Sequence, residues 1–174
     1  TKDEKYAKWA EGVEVKLDEA LREFYHIHHD VGFMWLLSSV TNYKFTGNKE
    51  SARRGYIAAS VLASRFNPAG NFIRAWNGEQ NTGWAIIDCM MNLPILYWAS
   101  DYMKDPRFYN IAVAHAETAM KNFIREDGSA KHICKFDPVT GEYVENYFGQ
   151  GYSIFLGQGY CLGLVWIRLE CKVY

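Results

Sequence analysis

Two aspartates carry the chemistry most open to this chain. Asp88 stands in an otherwise apolar run, Trp84-Ala85-Ile86-Ile87-Asp88-Cys89-Met90-Met91-Asn92-Leu93-Pro94. A carboxylate carried into a core loses water, which raises its pKa toward the range useful for proton transfer. The run therefore predicts a buried Asp88 that serves as general acid and base. Asp30 closes the triplet His28-His29-Asp30, just ahead of an amphipathic segment. There it can cap a helix N-terminus as readily as it can do chemistry. His28 and His29 invite a metal reading, but sequence neighbours do not share a face on a helix, so no metal and no cofactor is assigned.

Composition narrows what such a pair can act on. A net charge of -1 over 174 residues leaves no basic stripe to neutralise phosphates, so nucleic acid is not an expected partner and a small molecule is. Aromatic residues make up 16% of the chain, and such rings line sugar clefts as well as cores, the core being the commoner use. Cys89, Cys134, Cys161 and Cys171 lack the paired spacing of zinc sites, and no disulfide framework is expected at this length. No apolar run reaches the length of a membrane span, so no membrane partner is expected, and no signal-peptide pattern opens the chain. The length suits one domain, too short for two ordinary ones.

The elements that must position the aspartates read as all-α. Helical periodicity recurs, and strand alternation is confined to ambiguous stretches near Phe72 to Ala75 and His132 to Phe136. A first helix is predicted over about Asp3 to Glu23, with Tyr6, Trp9, Ala10, Val13 and Leu17 on one apolar stripe. A second runs from Val31 to Phe45 and stops at Thr46-Gly47, and a third from Lys49 to Phe66 ends at Asn67-Pro68. A fourth covers Ile86 to Tyr102, and Pro94 inside it should kink it or mark a break. Asp105-Pro106 opens a fifth that reaches Ile124. Successive helical hairpins of this kind fit an α/α toroid, although a solenoid or a bundle shares the periodicity.

The runs His28-His29-Asp30-Val31-Gly32-Phe33, Arg74-Ala75-Trp76 and Ile86 to Pro94, in this order and spacing, resemble the unsaturated glucuronyl hydrolases, glycoside hydrolase family 88. Asp127-Gly128-Ser129-Ala130-Lys131-His132, Phe136-Asp137-Pro138 and Gln150-Gly151 extend the likeness, which covers about Lys5 to Tyr152. The resemblance implies a six-hairpin (α/α)6 toroid, here partial with about five helices. It implies hydration of the C4=C5 double bond of an unsaturated uronic acid at the non-reducing end of lyase-generated oligosaccharides. It makes Asp88 the proton donor and Asp30 the second essential aspartate. Trp76, His132 and Gln150 become substrate contacts. An ordinary retaining or inverting glycosidase also uses two carboxylates, distinguished by their separation. Unsaturated rhamnogalacturonyl hydrolase, sharing toroid and chemistry, is the enzyme alternative, and a helical-repeat interaction module or decayed product the non-enzyme one.

Beyond Tyr152 the chain leaves the family pattern. Residues 153 to 174 are apolar, Gly-rich and poor in helix caps, and they read as a change of frame near the codon for Ser153. The expectation is one partial catalytic domain over 1–174 with an atypical tail at 153–174. Weak or absent activity is expected of this chain, with glycan, compartment and oligomeric state unassigned.

Overall fold

The structure, a computed structural model, describes residues 4–148. Gln150, the tail from Ser153 and two of the four cysteines lie outside the described residues.

Helix α1 (Glu4–Glu23) leads through a turn into α2 (Val31–Trp35), a π-helical segment (Leu36–Val40) and α3 (Thr41–Thr46), which together form one rod. Gly47, in the left-handed region at φ 75°, ends that rod. The Asn48 carboxamide then accepts from the Glu50 and Ser51 N–H groups and starts α4 (Lys49–Ser64). Short strands β1 (Phe66–Asn67) and β2 (Phe72–Ile73) form a hairpin, and β3 (Trp84–Ile86) runs into a 3-10 segment, Ile87–Asn92. An antiparallel helix pair follows, α5 (Leu93–Met103) and α6 (Pro106–Phe123), the second capped by Asp105 on the Arg107 N–H. Strands β4 (Ile133–Phe136) and β5 (Tyr143–Tyr147) complete a three-stranded antiparallel sheet in the order β3-β4-β5. Its register sets Ile86 opposite Ile133, and Ile133 opposite Tyr147.

Helix dominates, with five rods among the described residues when the α2 to α3 run counts as one, as the sequence suggests. The core lies where α4, α5, α6 and the strand layer meet. Trp35, Leu62, Phe72, Phe108, Phe123 and Phe136 are fully or almost fully buried, each worth about 1.5–3 kcal/mol of burial. Phe72 stacks on Phe136 at 4.9 Å between centroids and ties the small hairpin to the sheet.

Two expectations need correction. The predicted fourth helix begins at Leu93, not Ile86, because Ala85 and Ile86 pair with β4 and the Ile87 N–H donates to the His132 carbonyl. Pro94 marks that break rather than a kink: it occupies the first turn of α5, where its missing N–H costs nothing. The stripe predicted to bury α1 is largely exposed: Tyr6 is 47%, Trp9 66% and Val13 49% accessible among the described residues. Leu17 of that stripe and Leu21 do pack against the core, and the fully buried anchor of α1 is polar. Glu14 is fully buried and accepts from Asn42 at 2.9 Å, Ser51 at 2.7 Å and Arg54 at 3.3 Å, while Arg54 also grips Asp18 with two nitrogens.

Candidate active site

Asp88 sits in the first turn of the Ile87–Asn92 3-10 segment, with its side chain 47% exposed. The apolar run around it is buried, but the tight turn rotates this one residue outward, so the expected sealed carboxylate is half open to solvent. Desolvation is consequently not what equips it. Asp30 ends the turn before α2 with its side chain 45% exposed, and its carboxylate makes no capping hydrogen bond. The simple structural explanation for Asp30 is absent.

Between the two aspartates stands His29, buried to 2% exposure. Its Nδ1 lies 2.9 Å from the Ala75 carbonyl oxygen, and its Nε2 lies 3.1 Å from Asp88 Oδ1 and 3.3 Å from Asp30 Oδ1. A carbonyl only accepts, so Nδ1 carries a hydrogen, and whenever the facing carboxylates are ionised Nε2 carries one as well. In that state the ring is an imidazolium. Burial opposes that charge, but the Asp88 hydrogen bond and the fields of Asp30 and Asp88 prevail and hold the His29 pKa above the ordinary value. His28 goes the other way, lowered by burial and by the neighbouring His29.

Arg65, from the end of α4, braces this arrangement. Its guanidinium donates to the carbonyls of Arg74, Ile27 and Ala75 and to the Asn77 side chain, at 2.8 to 3.2 Å. Burial and the nearby Arg74 charge push its pKa down to about 10. Arg65 thus fastens both chains that carry site residues, the 26–30 turn and the 74–77 loop. A second brace is Asn92, 1% exposed, which accepts the Phe33 N–H at 2.6 Å. The contact is possible only because residue 32 is glycine: a Cβ there would meet the Asn92 carbonyl oxygen at 2.6 Å and its Cα at 2.9 Å.

Trp76 and His132 join the same cluster. The Trp76 ring meets His29 edge-on at 6.0 Å and Trp84 at 6.2 Å. His132 is the residue whose carbonyl accepts the Ile87 N–H, which sets it beside Asp88; burial lowers its pKa while the Asp88 charge works against that. The Asp127-to-His132 motif makes the turn that delivers it, with the Ser129 N–H on the Asp127 carboxylate. Asp137 likewise accepts the Val139 and Thr140 N–H groups and shapes the turn between β4 and β5, and these bonds hold its carboxyl below the usual range. On the α1 side, Asp30 and His28 face a groove of about 430 Å³ that Lys16, Glu19, Glu23 and Met34 also line.

The structure therefore brings Asp30, Asp88, Trp76 and His132 together; Gln150 is not among the described residues. Sequence reasoning did not assign His29, Arg65, Gly32 or Asn92 to the site. His29, Gly32 and Asn92 lie inside the motifs that pointed to it, whereas Arg65, at a helix end, carries no local signal. Donor atoms of His28, His29 and Asp30 converge within 4.8 Å, so the helix-face argument against chelation does not apply to this turn. With Nδ1 on a carbonyl and Nε2 facing two carboxylates, however, His29 has no lone pair to give a metal.

No protein-family model matches the chain. Known proteins do. The unsaturated chondroitin disaccharide hydrolase of Streptococcus pyogenes serotype M1 is 36% identical over 139 residues, 79% of this chain and 35% of that protein. The solved unsaturated glucuronyl hydrolase of Bacillus sp. GL1, responsible for the degradation of glycosaminoglycan, superposes with a TM-score of 0.83 at 33% identity, covering 87% of this chain and 41% of its own. The chain belongs to the unsaturated glucuronyl hydrolases. It spans between a third and about two fifths of the length of these relatives, and over that part it has the family's helical toroid architecture. Another solved member, an asparagine-for-aspartate variant with dGlcA-Glc-Rha-Glc, matches at 32% identity and the same TM-score.

Proposed function

We propose that the aspartate pair hydrates the C4=C5 bond of an unsaturated uronic acid at the non-reducing end of an oligosaccharide. The observation that carries this reading is the convergence of Asp30 and Asp88 on the single nitrogen His29 Nε2, beside Trp76, in a chain of this family. Asp88 in its acid form gives its proton to C4. The positive charge that develops at C5 is shared with the ring oxygen, and water adds there while its proton passes to the Asp88 carboxylate. The resulting hemiketal opens and releases the next sugar. Asp30 holds substrate hydroxyls, the Trp76 face receives the pyranose ring, and His132 and Gln150 contact the sugar or its carboxylate. The complex of a family member with dGlcA-Glc-Rha-Glc supports this substrate class. No described helix is long and apolar enough to cross a membrane.

The test follows loss of the alkene absorbance of unsaturated disaccharides, with binding read from shifts in the Trp76 and His132 NMR signals. Turnover, expected to be weak in this chain, should fall by about 1000-fold in Asp88→Asn with folding retained. Equal turnover in the variant, or no substrate-induced shift at either residue, rules the reading out.

A further inference from the structure

We propose that His29 is the positioning residue of the aspartate pair: anchored through Nδ1 on the Ala75 carbonyl, it fixes one oxygen of each carboxylate through Nε2 and supplies the positive charge that stabilises Asp88 once its proton is given up. The inference rests on the reading of Asp88 as proton donor. Geometry carries it. An imidazole held on a main-chain carbonyl cannot rotate without breaking that bond. Arg65 donates to the same carbonyl at 3.0 Å, so the anchor is itself fixed to the end of α4. The edge of Trp76 closes one side of the ring, and His28 lies tilted at 5.1 Å on another.

The charge has a definite chemical use. When Asp88 protonates C4 it becomes a carboxylate in a site already holding Asp30, and a second negative charge there is costly without a counter-charge. An imidazolium between them offsets both and transfers no proton itself, so the water that adds at C5 still restores the Asp88 proton. Other titratable groups near the ring are consistent with this. Asp30 and Asp88 favour the charge, whereas His28 and, from α6, the buried neutral His115 couple to it unfavourably. Arg65 and Arg74 act at the anchor, Cys89 is a buried thiol pushed upward, and His132, lowered by burial, feels the Asp88 charge.

The experiment is a side-chain NMR titration of the unsubstituted chain, with turnover followed against pH in it and in His29→Gln. In the unsubstituted chain His29 is expected to titrate above His28 and His132. In His29→Gln the side chain can still donate to a carboxylate, but the positive charge beside the two aspartates is gone. There kcat is expected to fall about tenfold while KM changes little, with the pH profile of turnover displaced from that of the unsubstituted chain. A kcat and pH profile indifferent to the substitution in a folded protein, or a His29 that titrates below His28, overturn the proposal. The NMR measurements need no turnover. Failure of the hydrolase reading shows instead as substrate neither bound nor consumed by the unsubstituted chain.

Discussion

Glu14 and Asp88 are two carboxylates whose sequence surroundings point the wrong way. Glu14 lies in a helix crowded with charged residues, yet it is fully buried and every partner it meets donates a hydrogen bond. Asp88 lies in an apolar run, yet it is half exposed and shares one histidine with a second acid. The difference separates two uses of a negative charge. A carboxylate that has Asn, Ser and Arg partners around it is a fastening, and it holds α1 to the rest of the molecule together with Asp18 on Arg54 and the packing of Leu17 and Leu21. A carboxylate left partly open beside a cationic ring can accept substrate and change its proton.

Substitutions sharpen that contrast. Glu14→Ala leaves Asn42 and Ser51 without their acceptor and deprives Arg54 of one carboxylate, and should cost about 4 kcal/mol in denaturant unfolding. The His29 titration should stay unchanged. A stability loss below about 1 kcal/mol would show that α1 is held by something other than this network.

Acid should act on a further buried group, a histidine. His115 is fully buried and accepts the Ile73 N–H at 3.0 Å, and burial, aided by the His29 charge, pushes its pKa down to about 4. Because the unfolded chain binds this proton near pH 6.5, its contribution is complete above that value. It is lost as pH falls toward 4, up to about 3 kcal/mol. His115→Asn, which keeps an acceptor for Ile73, should flatten this slope. The raised His29 behaves in the opposite sense: its contribution is complete below the ordinary histidine pKa and fades as pH rises through its own. If stability is flat between pH 6.5 and 4 in the unsubstituted chain, His115 is not held neutral by burial.

The smallest expected effect concerns spacing. Gly32→Ala forces α2 away from Asn92 and should cost about 2 kcal/mol. Turnover should drop more than stability alone explains, and the His29 titration should move toward the ordinary value as Asp88 recedes. Retention of both would show that the two segments can shift together.

Much of this was legible in the sequence. Asn48 and Asp105-Pro106 announce their helix starts because capping is local, and α1, α4 and α6 fall close to their predicted limits. The grouping of Asp30, Asp88, Trp76 and His132 followed from motif order. What escaped depends on partners distant in sequence. Ile86 and Ile87 leave the helical pattern because residues 132 and 133 pair with them, and that register has no local sign. The burial of Glu14 needs Asn42, Ser51 and Arg54 from two other rods. His29 was weighed only as a metal ligand, since its role exists only once Ala75 and Asp88 are brought to its two nitrogens.

Gly32 against Asn92 has one more consequence. The gap between the segments bearing the aspartates is set where Gly32, with no side chain of its own, lies against the main chain and Cβ of Asn92. Packing around the site can drift through many substitutions, each absorbed by rotamer changes, while this gauge stays constant. Positions 32 and 92 should therefore tolerate exchange only as a matched pair, and anyone transplanting this site to another helical scaffold must carry over that meeting of backbones before any of the acids.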